Sequence, residues 1–397
     1  MIRVVYGQAG SGKTQLLVAE AISLLRNGKS VVILCPTHSS KLNVIERYKT
    51  ISGLKRLPKL LQIRTYFSFY RIDYRNNTLL GFDKAPDAIL FDEFSLINRS
   101  LFKMMMNRTP QNLQITLYGD PAQLNPVGTS TEKTRITMKK LKACMDRGLD
   151  FSTIYHYVGS IASTHYIRLS EKKLLTVNRR ANDRIAAIID ELFFRDDPVI
   201  PTFDGLLSVT NKLQTGEWTY IATTYQSIEA VYSNVKRHCT DEYRVQCFAT
   251  VPHLNELYFK KGAEFIVGET TKYFVNGELV TCEEINDESI TLKGDHDSCI
   301  YRGEFSLLPI HFLSAHKSQG MTIKNVIVNV DNLFEPAILY TMITRASENI
   351  SFFRHESTDT DLLAHLKQTR KLLEFYGYRS RKIETVEQPP VEPLNEE

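Results

Sequence analysis

Residues 7–14 read GQAGSGKT, and this octet limits the chain more than any other stretch. It satisfies G-x-x-x-x-G-K-[ST]. It follows a short apolar run, IRVVY at 2–6, and precedes QLLVAEAISLLRNG at 15–28, where apolar residues recur at helical spacing and Asn27-Gly28 ends the pattern. A strand, a glycine-rich turn and a helix in that order form a phosphate cradle. The glycines let backbone N–H groups converge on an anion, and the helix N-terminus adds a favourable dipole. Gly7, Gly10, Ser11 and Gly12 are the expected loop contacts. Lys13 reaches the β- and γ-phosphates, and Thr14 holds Mg²⁺.

A second apolar run, AILF at 88–91, ends in Asp92 and Glu93. Beside a phosphate loop, the first carboxylate is placed to bind Mg²⁺ and the second to orient and activate a water. VVILC (31–35) and QITLY (114–118) are further buried strands between helical stretches, which predicts an α/β fold with a parallel, doubly wound sheet. From about residue 166 a second α/β region begins, with strands in 219–225, 310–316, 325–330 and 350–355. The chain of 397 residues is long enough for both. Two short runs around Asn76-Asn77 predict a hairpin at 69–83, and turn signals at Lys261-Gly262, Asn276-Gly277 and Lys293-Gly294 predict a small β-barrel at 257–309. The basic start of 130–165 (Lys133, Arg135, Lys139, Lys140, Lys142) reads as a solvated helix face, with a nucleic-acid patch as the alternative. Residues 383–397 hold five Glu, three Pro and no Lys or Arg, the composition of a flexible acidic tail.

Composition closes off several classes. No apolar run has the length of a membrane span, and the N-terminus lacks a signal-peptide layout, so a cytoplasmic protein with no membrane partner is expected. None of the six cysteines forms a CxxC pair, which argues against a disulfide framework or a standard zinc site. A net charge of +4 neither requires nor excludes nucleic acid, so that question rests on motifs.

Those motifs come in an order. CPTHSSK (35–41), RTYFSF (64–69), YGDPAQLNPV (118–127), LLTVNRRAN (174–182), LSAHKSQGMTIKNVIV (313–328) and LYTMITRAS (339–347) follow one another along the chain. With the phosphate loop and the Asp-Glu pair, this set resembles superfamily 1 helicases across residues 2 to about 355. Only about fifty residues separate 35–41 from Asp92, too few for a large helical insertion, so the likeness is to the RecD/Dda-like branch, in particular its phage members. The resemblance implies two RecA-like P-loop domains, at 1–165 and 166–382, with the hairpin inserted in the first and the barrel in the second. It implies 5′-to-3′ translocation on single-stranded DNA and unwinding of forked DNA in replication, recombination or repair, by a monomer acting in the cytoplasm, the host's if phage-encoded. A single-strand-binding or replication protein is a further candidate partner.

Residue by residue, the resemblance makes Gln123 a γ-phosphate sensor and Arg345 an arginine finger. Arg180 matches a second arginine, with Arg179 as a rival in register. Gln319 and Gly320 contact nucleotide from the second domain. DNA contacts fall on Thr37, His38 and Ser39, on Thr65, Phe67 and Ser68, and on Ser314, His316 and Lys317. Phe67, Phe69 and Tyr70 either stack on a base or pack under the hairpin. Only six residues precede the phosphate loop, leaving no room for the upstream glutamine helix that reads adenine in that family. Other NTPs are therefore expected to serve beside ATP. Two further readings stay open: an RNA helicase of viral superfamily 1 type, and a non-unwinding, NTP-switched DNA-remodelling module.

Overall fold

The computed structural model describes residues 2–73, 78–82, 84–126, 145, 150–176, 183–237, 244–246, 257–286, 289–294 and 297–379. The chain divides into two compact units. One comprises Met1–Ala181, Glu335–Ala337 and Lys367–Glu397, the other Asn182–Phe334 and Ile338–Leu366.

The first unit runs β1 (Ile2–Gly7), α1 (Lys13–Arg26), β2 (Val31–Cys35), α2 (His38–Ser52), β3 (Leu61–Thr65), α3 (Tyr66–Tyr70), β4 (Ile72–Asp73), β5 (Thr78–Leu79), β6 (Ala88–Phe91), α4 (Arg99–Arg108), β7 (Gln114–Gly119), α5 (Phe151–Gly159) and β8 (Glu171–Leu175). Six of these strands form one sheet in the order β3-β2-β6-β7-β1-β8, every neighbouring pair parallel. A parallel sheet is buried on both faces, which explains the unbroken apolar runs. Alternate residues serve opposite faces. Val31, Ile33, Ala88 and Leu90 pack with Leu17, Val18 and Ile22 of α1 and Val44 and Tyr48 of α2. Val32, Leu34, Ile89 and Phe91 pack with Phe102, Met105 and Met106 of α4.

The second unit has α6 (Asp183–Phe194), β9 (Phe203–Asp204), α7 (Leu206–Gln214), β10 (Trp218–Ala222), α8 (Tyr225–Arg237), β11 (Arg244–Gln246), β12 (Leu257–Phe259), β13 (Glu264–Val267), β14 (Leu279–Ile285), β15 (Ile290–Lys293), β16 (Ser298–Tyr301), β17 (Leu307–Pro309), β18 (Phe312–Ser314), β19 (Ile323–Asn329), α9 (Ile338–Ile343) and β20 (Ala346–Phe353). A parallel sheet, β18-β10-β19-β20-β9, is joined by an antiparallel one, β16-β15-β14-β13-β17. One core runs through both: Tyr220 and Ile327 of the parallel sheet belong to the same buried cluster as Phe265, Val280 and Leu292. The last helix, α10 (Asp359–Phe375), starts in the second unit and ends in the first.

The α/β architecture with two parallel sheets matches the expectation. The boundary differs from 165/166: β8 pairs with β1, Gly7 lying opposite Leu175, and so belongs to the first sheet. Residues 367–379 also return to the first unit instead of ending the second. A lone short strand carries no local sign of which sheet it joins. Phe69 and Tyr70 finish α3, and the described hairpin pairs β4 with β5 and continues with Leu80 N–H donating to the Arg71 carbonyl (3.4 Å) and Gly81 N–H to the Tyr70 carbonyl (3.0 Å). Its turn at Asn76-Asn77, the basic stretch at 133–142 and the acidic tail lie outside the described residues. The expected barrel is an antiparallel sheet with β16 and β17 at its edges. Among the described residues no helix is long and apolar enough to cross a membrane.

Glu20 fastens the phosphate-loop helix to this sheet. From α1 it accepts hydrogen bonds from Arg3 of β1, from the Tyr118 hydroxyl and from Thr116 Oγ1 of β7 (3.0 Å). With its side chain only 13% exposed, the carboxylate is largely screened from water. Gln114 Nε2 donates to it as well (3.5 Å), so Glu20→Ala removes the shared acceptor of four donors. It is expected to lower unfolding free energy by about 1–3 kcal/mol, read from urea denaturation. A wild-type midpoint would show that α1 is held by apolar packing alone.

Candidate nucleotide site and nucleic-acid contacts

The phosphate loop begins where β1 stops. Gly10 and Gly12 take φ of 82° and 80°, a region costly for residues with a Cβ. Gly7 has no room for one: a Cβ there would lie 2.7 Å from the Leu175 carbonyl oxygen and 2.8 Å from Ser11 Oγ. No side chain caps α1 at Gly12, so its first-turn N–H groups face the loop. Lys13 is buried, and its ammonium donates to the carbonyls of Gly7 and Gln8, both at 2.9 Å. The loop thus holds its own cation over the cradle.

The Asp92–Glu93 pair leaves β6 beside it. Asp92 N–H donates to the Leu34 carbonyl at 2.8 Å, carrying the sheet bonding one residue past the strand. Its carboxylate is 4% exposed and accepts from Thr14 Oγ1 at 3.5 Å. Burial, and then the charge of Glu93, push the Asp92 carboxyl up to about 7, against the pull of Lys13 and Thr14. Glu93 has φ 47°, a left-handed conformation unusual outside glycine. That backbone costs on the order of 1–3 kcal/mol and turns the chain sharply after the strand. Glu93 Oε2 is buried and has no hydrogen-bond partner among the described residues, and neither does Ser11 Oγ. A hydroxyl, a buried carboxylate of raised pKa and a second carboxylate oxygen without a donor suit a hydrated divalent cation bound with a phosphate chain.

Gln123 follows β7 in a tight turn and is 2% exposed. Its Nε2 donates to Asp120 Oδ2 at 3.2 Å, and Asp120 is wholly buried. Nothing in the sequence singles out Asp120 within the YGDPAQLNPV motif. The aspartate of such a turn reads as a solvated loop residue until its burial is known.

The first-unit residues expected to touch nucleic acid share one sheet edge. Cys35 of β2 lies opposite Thr65 of β3, so the turns after both strands are neighbours. Thr37 Oγ1 caps α2 by accepting from the Ser40 N–H (3.1 Å), and Thr65 Oγ1 caps α3 by accepting from the Ser68 N–H (3.2 Å). Ser68 Oγ donates to the Thr65 carbonyl (3.0 Å). These hydroxyls therefore build two adjacent helix N-termini. His38 opens α2; the Ser39 side chain is outside the described residues. Phe69 and Tyr70 are buried and meet Phe82 at ring distances of 4.9 and 5.7 Å, which makes them core under the hairpin. Phe67 is half-buried against Tyr66.

In the second unit, Ser314 ends β18, and its Oγ accepts from the Lys317 N–H at 3.3 Å. Burial pushes the Lys317 ammonium below its ordinary value. His316, Gln319 and Gly320 follow in the same turn, Gly320 with φ 80°. Arg345 is 1% exposed. It donates to the Thr341 carbonyl (3.0 Å), the Met321 carbonyl (3.4 Å) and Thr344 Oγ1 (3.1 Å), which brings the 316–321 turn and the α9–β20 junction together. Arg179 and Arg180 lie outside the described residues.

The raised Asp92 carboxyl has a measurable consequence. Between its ordinary 3.8 and about 7, the nucleotide-free folded chain holds a proton that the unfolded chain releases, so stability falls as pH rises through that window. Asp92→Asn is expected to remove that part of the slope and to unfold at higher urea than wild type at pH 8. Parallel pH profiles for the two proteins would contradict the assignment.

Comparison with known proteins adds to this geometry. A family model described as an AAA domain matches residues 1–144. The ATP-dependent DNA helicase Pif1 of Bdellovibrio bacteriovorus is 21% identical over 388 residues, covering 82% of this chain and 84% of that protein. The ATP-dependent DNA helicase dda of enterobacteria phage T4 is 29% identical over 128 residues, 30% of this chain and 27% of its own length. Among solved structures, Bacteroides Pif1 helicase in complex with ADP-AlF3 and single-stranded DNA has a TM-score of 0.54 at 16% identity, over 96% of this chain and 95% of that one. Candida albicans Pif1 helicase has a TM-score of 0.51 at 15% identity over 95% of each chain. At such identities the structural likeness is one of fold. Motif order, parallel-sheet architecture and these likenesses agree, and the chain is similar to the Pif1- and Dda-like superfamily 1 DNA helicases.

Proposed function

We propose that this protein is an NTP-driven DNA helicase that translocates 5′ to 3′ on single-stranded DNA and opens forked duplexes. The observation that carries the reading is the convergence, at one edge of the first sheet, of the Lys13 loop, Thr14 with buried Asp92, Glu93 in its turned backbone, and the Gln123 turn. Loop N–H groups and Lys13 hold the β- and γ-phosphates. Thr14 and Asp92 would hold Mg²⁺, whose positive charge would offset the charge that develops as the γ-phosphoryl group leaves. Glu93 orients a water for in-line attack on the γ-phosphorus and takes its proton. The bond to the β–γ bridging oxygen breaks, and Gln123 reports whether the γ-phosphate is present.

Arg345 is the proposed arginine finger, with Arg180 as the second cation and Gln319 and Gly320 as further nucleotide contacts. Thr37, His38, Ser39, Thr65, Phe67 and Ser68, with Ser314, His316 and Lys317, are the proposed strand contacts. Paired helix N-termini at Thr37 and Thr65 suit phosphate oxygens without reading bases. The relatives named for DNA unwinding support DNA over RNA, and the polarity follows the RecD/Dda-like resemblance. A cytoplasmic monomer acting in replication, recombination or repair completes the reading.

Hydrolysis measured with single-stranded DNA, RNA or duplex DNA tests it. Strong stimulation by single-stranded DNA, lost by at least about 10²-fold in Lys13→Ala, is the expected result. Stimulation by RNA alone would replace the DNA reading. Forks with one end blocked then report polarity. Arg345→Ala is expected to cost turnover on the order of 10³-fold. It also leaves buried acceptors at Thr341 and Met321 without this donor, which lowers stability by about 1–3 kcal/mol. Normal turnover in that variant would assign Arg345 a packing role alone.

A further inference from the structure

The nucleotide edge of the first unit has a support from the far end of the chain. α10 ends in a paired reversal: the Gly377 N–H donates to the Glu374 carbonyl and the Tyr378 N–H to the Leu373 carbonyl, both at 2.9 Å, with Gly377 at φ 77°. This is the Schellman arrangement, in which a left-handed glycine lets the next residue fold back on the helix. It turns Tyr378 inward, to 2% exposure. The Tyr378 hydroxyl donates to Asp120 Oδ1 at 2.8 Å, and its ring lies 6.4 Å from that of Tyr6, the residue before the phosphate loop. The next carbonyl, that of Arg379, accepts from Gln8 Nε2 inside the loop at 3.2 Å. Two successive residues after the last helix thus touch both the loop that carries Lys13 and the turn that carries Gln123.

The link to chemistry runs through Asp120. Its Oδ1 accepts from Tyr378 and from the Ala122 N–H (3.1 Å), while Oδ2 accepts from Gln123 Nε2. It is the NH₂ end of the Gln123 amide that faces this carboxylate. The orientation of that amide is therefore set by the plane of the Asp120 carboxylate, and that plane is held by two donors on its other oxygen. One of them, Tyr378, lies 258 residues away.

We propose that Tyr378 is a positioning residue for the γ-phosphate sensor, acting through Asp120 to present the Gln123 amide in one orientation. The inference rests on the NTPase reading above. It assigns a task to a residue outside every motif: the Tyr378 hydroxyl acts on Asp120, and it is needed when the γ-phosphate is read, not when the nucleotide first binds. Gly377 belongs to the device, because a Cβ at its φ opposes the reversal that delivers Tyr378.

The test compares wild type, Tyr378→Phe, Gln123→Ala and the double variant in hydrolysis stimulated by single-stranded DNA, alongside binding of Mg·ADP with and without aluminium fluoride. Tyr378→Phe is expected to lower kcat about tenfold, with KM for ATP within twofold of wild type, because a misplaced sensor spoils orientation and not uniform binding. It should keep Mg·ADP affinity and lose about tenfold for the fluoride complex. In the Gln123→Ala background it should cost nothing further. Gly377→Ala should reproduce the phenotype. Wild-type kcat in Tyr378→Phe, an equal loss with or without Gln123, or a parallel loss of Mg·ADP affinity and Tm would each overturn the proposal. A wild-type protein that binds neither complex would overturn the nucleotide reading, and this inference with it. A wild type that binds both, with Tyr378→Phe identical to it, defeats this inference alone.

Discussion

Parallel strand pairing is the constraint on which the rest of the first unit depends. When neighbouring strands run the same way, their C-terminal ends lie along one edge, and every loop that leaves that edge starts beside another. Register makes the statement specific: Tyr6 lies opposite Gly119, Leu34 opposite Phe91, and Cys35 opposite Thr65. The phosphate loop, the acidic pair, the Gln123 turn and the two helix caps become neighbours through backbone hydrogen bonds alone. The apolar alternation that buries both faces of the sheet is the driving force for that pairing.

On this edge the chain accepts local costs that a purely structural sheet avoids. Asp92 is buried with its carboxyl pushed up to about 7, and Glu93 sits in a left-handed conformation with an oxygen that meets no donor among the described residues. Gly119 shows how tight the packing is: a Cβ there would lie 2.7 Å from the Phe94 ring and 2.9 Å from its backbone nitrogen. Such features raise the energy of the site unless a cation and an anion complete it. The Glu20 network behind α1 does the opposite, since its acceptor oxygens are well supplied with donors.

The second unit uses the same logic with different parts. Arg345 is held by carbonyls and a hydroxyl of its own unit, so its position depends on the fold of the 316–321 turn and of α9. Asp331 anchors the far side of β20 by accepting three successive backbone N–H groups, from His355, Glu356 and Ser357, which hold its carboxyl below the usual range. The antiparallel sheet shares one core with the parallel sheet, which makes the two a single folding unit.

Much was legible in the sequence because the relevant signals are local. GQAGSGKT between a strand and a helix, AILF before Asp92-Glu93, and the alternation of apolar runs each depend on residues within about ten positions. They determined the fold class and marked the residues that meet at the phosphate-loop edge of the first sheet. Tertiary structure decided what depends on distant partners. β8 joined the first sheet because its backbone met β1, and the helix caps at Thr37 and Thr65 came side by side because their strands are adjacent. Phe69 and Tyr70 went to the core because Phe82 closes over them. Asp120 and Tyr378 acquired their relation only when residue 378 folded back onto residue 120. A hydrogen bond has no sequence signature when its two ends lie 258 positions apart, whereas a strand, a turn or a helix cap is written in consecutive residues.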